Sequence, residues 1–381
     1  MKRIPYGRQH VTAEDIAAVE AVLRSDWLTQ GPVVEAFESA VMSHCGARFA
    51  VAANSATSAL HLACRALGLG PGDALWTSPI TFIASANAAL YCGAGVDFVD
   101  IDASTCNMSI DALSAKLKAT ARKGSLPKVV MPVHFGGQSC DMRAIGTLAK
   151  EYGFAVIEDA SHAIGGRYRG NPVGNCEYSS IAVFSFHPVK IVTTGEGGMV
   201  VTNDAGIAER TRVLASHGVT RDPARMSEPN PDGWYYEQVE LGYNYRLTDI
   251  QAALGASQMT RIQEVIAQRL ARADRYDVLL RDLPAVALSR SKDAKSAWHL
   301  YVVQVEERRR VYDAMRAARI NVNVHYIPVH LQPFYRRLGF GPGQFPNAEA
   351  YYDRALTLPL FPGLTFEQQD YVVATLREAL P

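Results

Sequence analysis

Alternating helical and strand-like hydrophobic patterns run through the first two thirds of the chain. Apolar residues recur at helical spacing from Glu14 to Arg24 behind a capping Thr12, and similar patterns predict helices over 56–67 and 82–92. Short apolar runs predict strands, which lie at 49–52, 75–77, 96–99, 128–131, 153–158, 181–186 and 199–201. This alternation is typical of a mostly parallel sheet with helices on both faces, so the pattern predicts an α/β fold.

The pattern changes near Thr248. One long helical stretch, weakly interrupted at Gly255, is predicted to reach about Leu280 and to bridge two domains. Farther along, the pattern predicts strands over 300–305 and 321–326, a helix over 311–318 and a closing helix with a capping box at Thr365. We therefore expect a large domain over residues 1–255, with an N-terminal arm, and a smaller α/β domain over residues 256–381.

Charge and composition exclude several classes of function. The 38 basic and 38 acidic residues balance, so no strong field favours nucleic acid or an anionic membrane as partner. No stretch approaches the roughly 20 apolar residues of a membrane span, and no signal-peptide core follows Met1. The six cysteines lack paired C-x-x-C spacing, which favours reduced packing cysteines over a zinc site. We therefore expect a cytoplasmic protein without a metal.

The most informative polar residue is Lys190. An apolar strand-like segment brings Ser185, then Lys190, and then the glycine-rich turn at 195–198. This grouping suits a lysine that forms a Schiff base with pyridoxal 5'-phosphate (PLP), with hydroxyl groups binding the phosphate. A solvated surface lysine is the alternative interpretation.

A second polar group follows the apolar run 154–157. Glu158, Asp159 and His162 come directly after this run, where a buried parallel strand would end. Ligands of open α/β sheets bind beyond the carboxyl ends of the strands. PLP requires a carboxylate that keeps its pyridine nitrogen protonated, and Asp159 can supply it. Asp159 could instead cap the next helix, but its occurrence together with Lys190 favours the cofactor.

Four motifs carry a resemblance to a known family: Glu158-Asp159-Ala160, the run from Ser185 to Lys190, Thr194-Gly195-Glu196-Gly197-Gly198 and Leu241-Gly242-Tyr243-Asn244-Tyr245-Arg246. With them the chain resembles, along essentially its whole length, the DegT/DnrJ/EryC1/StrS sugar aminotransferases. These are PLP enzymes of fold type I. The resemblance implies a large domain with a mostly parallel seven-stranded sheet, a smaller C-terminal domain, and PLP held as a Schiff base by Lys190.

The cofactor contacts are predicted on two grounds, the position of residues along the chain and the family resemblance. Thr57 and Ser58 lie where a strand passes into a helix, and a helix N-terminus offers free N–H groups to a phosphate. The resemblance implies that Phe82 stacks on the cofactor ring, with a buried core phenylalanine as the alternative. It also implies that His162 lies beside the ring and that Asn244 reaches the phosphate of the partner subunit. The last contact implies a homodimer with shared active sites.

The resemblance extends to the substrates. Within the family the chain looks most like the transaminases of pseudaminic acid biosynthesis, which aminate C4 of UDP-4-keto-6-deoxy-N-acetyl-β-L-altrosamine with L-glutamate as donor. Another nucleotide-linked 4-keto-6-deoxy sugar, derived from UDP-N-acetylglucosamine or a dTDP-hexose, is the alternative. The positions expected near the sugar nucleotide are Tyr6, Trp27, Leu28, Thr29, Gln30, Ser55, His325, Tyr326, Ile327 and Pro328.

Two further sets of residues invite a binding role, the arginines for a carboxylate and a pair of histidines for a metal ion. Arg8, Arg221 and Arg246 are candidates for binding the glutamate carboxylate, and nothing in the sequence selects among them. His325 and His330 are five residues apart, which on a strand places them on opposite faces, so we expect no shared metal ion.

Other functional classes have weaker support. A nucleotide-binding oxidoreductase would carry G-x-G-x-x-G after its first strand, and Gly165-Gly166-Arg167-Tyr168-Arg169-Gly170 lacks that pattern. The family's 3-dehydratases carry histidine in place of the lysine, whereas this chain has Lys190. A PLP-binding regulator would need a DNA-binding module, for which the sequence offers neither a helix-turn-helix nor a basic tail.

Overall fold

The computed structural model describes residues 3–228 and 232–381. Its helices are α1 (Ala13–Leu23), α2 (Pro32–Cys45), α3 (Ala56–Ala66), α4 (Ala84–Tyr91), α5 (Ile110–Ala121), α6 (Met142–Tyr152), α7 (Ala205–Ala215), α8 (Asp249–Met259), α9 (Ile262–Leu279), α10 (Arg308–Ala317), α11 (Pro333–Arg336), α12 (Pro346–Arg354) and α13 (Phe366–Ala379). The capping boxes predicted at Thr12 and Thr365 are present at the starts of α1 and α13.

The strands of the large sheet are β1 (Phe49–Ala53), β2 (Ala74–Thr77), β3 (Gly95–Phe98), β4 (Val129–Met131), β5 (Ala155–Asp159), β8 (Ile181–Ser185) and β9 (Gly198–Thr202). The shorter strands are β6 (Arg167–Tyr168), β7 (Asn171–Pro172), β10 (Val219–Thr220), β11 (Glu237–Gln238), β12 (Ala285–Ala287), β13 (Ala294–Lys295), β14 (Tyr301–Val305) and β15 (Ala355–Leu358).

The large sheet has seven strands in the order β1-β9-β8-β5-β4-β2-β3, so the predicted fold class is confirmed. Only β9 runs antiparallel to its neighbours; all the other pairs are parallel. Strands β8 and β9 are buried at every position, as expected for strands with helices on both faces. Because β1, β5 and β8 point the same way, their carboxyl ends meet at one edge.

A second, three-stranded sheet in the order β12-β14-β15 lies in the C-terminal part of the chain. Its apolar core combines Tyr301, Val303 and Leu358 with residues of α10 and α13. Helix α9 spans the two cores, since Ile262 and Val265 pack with the large sheet whereas Ala273 and Tyr276 pack with the small one. The boundary near residue 255 stays a prediction.

The single long helix predicted from Thr248 to Leu280 is wrong. The structure has two helices, and they meet at Thr260 and Arg261 rather than at Gly255, which is buried inside α8. Arg261 leaves the helical conformation and its guanidinium pairs with the buried Asp15 of α1. A tertiary ion pair at the break is invisible to hydrophobic periodicity.

The strand predicted over residues 321–326 is also wrong. This segment makes only an isolated antiparallel bridge, between Asn323 and Thr357 of β15. Its backbone then turns away so that the His325 ring can bond the Thr357 side chain. His325 and His330 therefore do not occupy alternate faces of a strand; His330 bonds Glu349 instead.

The described residues contain neither a membrane-spanning helix nor a metal-binding cluster. Across 3–228 and 232–381, no helix is both long and apolar enough to cross a bilayer. The same ranges contain no cluster of three or more His, Cys, Asp or Glu side chains that could hold a metal ion. All six cysteines are buried and free of disulfides, as packing cysteines should be.

Candidate active site

The candidate site lies at the carboxyl edge of the large sheet. Strand β5 ends at Asp159, β8 ends at Ser185, and β1 leads through Asn54 into the N-terminus of α3. Lys190 is in the turn that follows β8, where its N–H donates to the His187 carbonyl (2.9 Å). Ligands bind at this edge of open α/β sheets, because helix N-termini and loops face one another there.

The Lys190 amine is buried at this edge. Burial lowers its pKa from the ordinary lysine value of 10.5 to about 8, the Arg269 charge acts in the same direction, and the Asp159 carboxylate opposes them. Asp159, 31 positions away in sequence, is therefore close enough to Lys190 for its charge to act on the amine. Near pH 8 such an amine can both take up and release a proton.

Asp159 is held in a fixed orientation. Its Oδ2 accepts a hydrogen bond from the Ser85 hydroxyl at 2.6 Å, and its Oδ1 accepts from the Ser161 N–H at 3.1 Å. The Ser85 hydroxyl also lies 2.7 Å from that of Thr81. Ser85 was not predicted from the sequence, since a serine inside an alanine-rich helix carries no distinctive pattern. The local helix-capping interpretation of Asp159 does not account for this long-range bond to α4.

The N-terminus of α3 lies at one end of the site, where helix N–H groups and hydroxyls could bind an anion. Ser55 caps the helix by accepting from the Ser58 N–H (3.1 Å), and the Ser58 hydroxyl donates to Asn54 Oδ1 (2.6 Å). Thr57 is half-buried in the first turn, while Ser185 is buried at the end of β8. Gly198 permits this assembly, because a Cβ there would lie 2.5 Å from the Ser55 carbonyl oxygen.

His162 is a buried neighbour of Lys190. The Gly136 N–H donates to its Nδ1 at 3.3 Å, so the ring proton is on Nε2, which donates to the Tyr326 hydroxyl at 3.1 Å. Burial, and then the Lys190 charge, hold the pKa of His162 well below its usual value. His162 is therefore a neutral ring, and it leaves the Tyr326 hydroxyl proton free to bond a ligand.

The N-terminal arm and the 325–328 segment converge on the same place. The Tyr6 ring is 5.4 Å from that of His325, and the Tyr6 carbonyl accepts from the Leu360 N–H at 2.9 Å. The pKa of His325 is lowered to about 3, chiefly by burial. Asn323 Nδ2 lies 3.4 Å from His325 Nε2, so Nδ1 donates to Thr357 Oγ1 (2.8 Å).

An open cleft of about 700 Å³ adjoins Tyr326. Phe82 is 57% exposed on its wall, 6.3 Å from the Tyr326 ring, so the alternative of a buried core phenylalanine is wrong. Ile327 lines the same cleft, and Pro328 precedes a turn whose Val329 N–H donates to the Pro79 carbonyl. Exposed aromatic and aliphatic side chains beside buried polar ones are typical of a ligand-binding cleft.

The segment 27–30 is not brought to Lys190 within this chain. Thr29 forms an isolated bridge with Thr248, and the Leu28 carbonyl accepts from the Asp249 N–H at the start of α8. Trp27 is exposed, and Gln30 adopts a positive φ of 56°. In the described part of the chain, no hydrogen bond joins these residues to the Lys190 cluster.

Asn244 and the three arginine candidates lie in different parts of the structure. Asn244 is exposed, and its carbonyl accepts from Asn54 Nδ2 at 3.4 Å. Arg246 bonds the Ser216 hydroxyl, and Arg221 lies over the Tyr236 ring. Arg8 is different, because it shares a small cavity with Lys190. Of the three candidate arginines, Arg8 is the one that lines a cavity together with Lys190.

Comparison with known proteins identifies the family. The sequence pattern of the DegT/DnrJ/EryC1/StrS aminotransferase family matches residues 9–377. The chain belongs to this family. The chain is 39% identical to the spore coat polysaccharide biosynthesis protein SpsC of Bacillus subtilis, over 98% of this chain and 96% of SpsC.

Two solved structures show the same fold along the whole chain. PseC of Helicobacter pylori, an aminotransferase involved in pseudaminic acid biosynthesis, is 30% identical with a TM-score of 0.90, covering 100% of this chain and 99% of PseC. Spr1654 of Streptococcus pneumoniae, in its PLP form, is 29% identical with a TM-score of 0.88, covering 99% and 98%. The predicted family, enzyme class and PLP dependence are thereby confirmed: this member is a PLP-dependent sugar aminotransferase.

The residues at the sheet edge fit PLP. Lys190 would hold the aldehyde, Asp159 the pyridine nitrogen, and the α3 N-terminus with Ser58, Thr57 and Ser185 the phosphate. Bound PLP supplies an electron sink that stabilises a carbanion beside nitrogen. The individual contacts remain predictions, whereas the groups they require are present and face the same edge.

Lys190 is the candidate for the proton transfers. Its Nζ would take a proton from the α-carbon of the amino donor and pass it to the bound cofactor, and in the second half it would return a proton from the cofactor to the sugar carbon that receives the amine. Asp159 is held in place by its bonds to Ser85 and Ser161. His162 is fixed beside this pair by its bonds to Gly136 and Tyr326.

A lysine pKa of about 8 predicts how cofactor capture depends on pH. Only the neutral amine attacks an aldehyde, so we expect the rate of PLP capture by the apo protein to rise with pH and to level off above about pH 8. Borohydride trapping followed by peptide mapping measures this rate at Lys190. The exposed Lys118 serves as internal reference, and a Lys190 midpoint near 10.5 would contradict the prediction.

Proposed function

We propose that this enzyme transfers the amino group of L-glutamate to C4 of a UDP-4-keto-6-deoxy-N-acetylhexosamine, and that the sugar is UDP-4-keto-6-deoxy-N-acetyl-β-L-altrosamine. The observation that carries the proposal is the convergence of Tyr6, His325 and Tyr326 beside Lys190. These are the positions that the family resemblance assigns to the sugar. The full-length similarity to PseC supports the altrosamine substrate.

The site chemistry suits a 4-keto sugar. The Tyr326 hydroxyl, whose oxygen accepts from His162, has its own proton free to bond a sugar oxygen. Phe82 and Ile327 offer apolar surface along the cleft, against which a sugar ring or its methyl group can pack. Arg8 is the proposed partner of the glutamate carboxylate, because it alone among the candidates shares a cavity with Lys190.

A second substrate has its own support. SpsC, with 39% identity, is more similar in sequence than PseC and is described as a protein of spore coat polysaccharide biosynthesis. The alternative is therefore another nucleotide-linked 4-keto-6-deoxy sugar, derived from UDP-N-acetylglucosamine or a dTDP-hexose. A cytoplasmic location, as predicted from the sequence, stays a prediction.

The substrate is tested by supplying the candidate sugars one at a time. Purified holoenzyme is supplied with L-glutamate and, in turn, the coupled dehydratase product of each sugar series. We expect kcat/KM for the altrosamine derivative to exceed that for the others by about tenfold or more, the scale on which a fitted pocket separates analogues. L-Aspartate in place of glutamate is the donor control. A preference for a hexose without the N-acetyl group would overturn the altrosamine assignment.

We further propose a homodimer in which Asn244 completes the partner's active site. Its side chain is exposed, while its backbone is anchored to Asn54 at the phosphate-binding end of its own subunit. The exposed segment 27–30 would likewise contact the partner's sugar nucleotide. This arrangement explains why predicted site residues lie away from Lys190 in one chain.

Subunit mixing tests the shared site. Lys190→Ala and Asn244→Ala subunits are each expected to be inactive, whereas a heterodimer of the two has one site with both native residues. We expect mixing to restore up to about half of the wild-type activity per heterodimer, since one of its two sites is intact. Heterodimers isolated with two affinity tags that remain inactive would exclude sharing through Asn244.

A further inference from the structure

A second histidine, His299, lies directly against the catalytic lysine. Its Nε2 is 3.4 Å from Lys190 Nζ, and its ring centroid is 4.5 Å from that of His162. Its side chain is almost fully enclosed, with 4% of the residue exposed. His299 lies between β13 and β14, outside every motif singled out in the sequence, so no sequence pattern placed it in the site.

The backbone of His299 is tightly held. Its N–H donates to the Gly136 carbonyl at 2.9 Å, and the buried Arg269 donates to the carbonyls of Trp298 (3.1 Å) and His299 (3.4 Å). Gly137 permits this close approach, because a Cβ there would lie 2.9 Å from the Trp298 nitrogen and 3.1 Å from that of His299. With His162 against the ring, the imidazole is fixed facing the lysine.

The chemistry of the pair determines the tautomer. A lysine ammonium can only donate, so Nε2 of His299 accepts and the ring proton lies on Nδ1. Nδ1 is buried and has no hydrogen-bond partner among the residues described. A buried N–H donor without a partner lowers the stability of the folded protein. We infer that the bond between Nε2 and Lys190 is the reason for a histidine at this position.

We propose that His299 is a positioning residue for the catalytic lysine. Its neutral Nε2 accepts a hydrogen bond from the free Lys190 ammonium and directs that group toward the reacting carbon atoms. When Lys190 gains a proton from the donor's α-carbon, His299 keeps the new ammonium in place until the proton is delivered. The proposal rests on PLP-dependent amino transfer and is independent of which sugar is the substrate.

Other charged and titratable groups lie close to Lys190 and His299 and contribute to the pH dependence of both. Asp159 and Arg269 act on Lys190, and His162, His325 and Arg269 act on His299 together with Lys190. Burial, and then the Lys190 charge, hold the pKa of His299 well below its ordinary value. His299 is thus a neutral acceptor at the pH where Lys190 works.

The test compares two replacements of His299. His299→Phe keeps a planar ring without an acceptor, while His299→Gln keeps an acceptor near the position of Nε2. In the Phe variant we expect kcat to fall about tenfold, the scale of one lost hydrogen bond to a charged group, with KM for the sugar within about twofold of wild type. Loss of an acceptor disfavours the ammonium, so the pH midpoint of PLP capture should move below about 8. The Gln variant should restore both.

The result can contradict the proposal in three ways. A Phe variant with the wild-type kcat and capture midpoint would overturn it, and so would a Gln variant as impaired as the Phe variant. Nitrogen-15 NMR of histidine-labelled apo protein, below pH 8 where Lys190 is charged, needs no stable Phe variant and reports the tautomer. The His299 signal of the wild-type protein is identified by its absence from the spectrum of the Gln variant. We expect it to show a neutral ring with its proton on Nδ1; a proton on Nε2 would overturn the proposal. PLP capture is measured without sugar, so failure of the altrosamine assignment would leave this test unaffected.

Discussion

Replacing Lys190 with alanine is expected to lower the amino transfer rate by at least about a thousandfold. General acid–base catalysis alone contributes about 10²–10⁴-fold, and the variant also loses the amine that captures PLP. Burial brings the pKa of Lys190 to about 8, so its amine can exchange protons close to neutral pH, and the variant has no amine at this position. Initial rates with glutamate and the preferred sugar measure the loss.

The control for this variant is Lys118→Ala, which removes an exposed lysine from α5. Lys118→Ala should keep wild-type activity and borohydride-trappable PLP, and Lys190→Ala should lose both. If Lys190→Ala still yielded trapped cofactor on a single peptide, another lysine would be the attachment site. The assignment of the sheet edge as the active site would then be wrong.

The second large effect is expected for Asp159→Asn. The amide has nearly the same shape and can keep a bond to Ser85, but it has no negative charge to hold a protonated pyridine nitrogen. Removing one partner of a buried ion pair costs about 3–5 kcal/mol, which corresponds to a rate loss of roughly 10²- to 5 × 10³-fold. Turnover and the visible absorption of the bound cofactor measure the effect.

Two comparison variants separate charge from hydrogen bonding. Ser85→Ala leaves the carboxylate with its Ser161 N–H bond, so we expect a loss of only about tenfold. Asp204→Asn makes the same acid-to-amide change at the N-cap of α7, where asparagine caps as well as aspartate, and should change nothing. An Asp159→Asn enzyme with near-normal turnover would remove Asp159 from its proposed role.

Local sequence was sufficient to predict the strands, helices and caps that depend on neighbouring residues. The apolar runs that became β5 and β8, the caps at Thr12 and Thr365, and the helix at 56–66 all appear at or within two residues of their predicted bounds. Buried parallel strands read as continuous apolar runs because both faces are covered. Where a distant contact decided the backbone, as Asp15 did at Arg261 and Thr357 at His325, periodicity failed.

The residues of the candidate site also fall into two groups, those that local sequence indicates and those that only distant contacts reveal. Lys190 and Asp159 could be proposed from the sequence because each lies at or just beyond the end of a predicted strand and their pairing has a chemical reason. Ser85 and His299 were missed, since each acquires its role only by lying 2.6 Å from Asp159 or 3.4 Å from Lys190. Such partners come from a helix middle and from a loop, where residue type carries no positional signal.

By itself, the sequence determined the α/β class and the family, and it selected the two candidate residues for the cofactor's chemistry, because strand periodicity and short motifs are properties of neighbouring residues. Only the tertiary structure decided which side chains surround that pair, how Lys190 comes to have a lowered pKa, and which tautomers His162 and His299 adopt. Burial, charge proximity and hydrogen-bond direction depend on atoms brought together from distant parts of the chain, and these quantities exist only once the chain has folded.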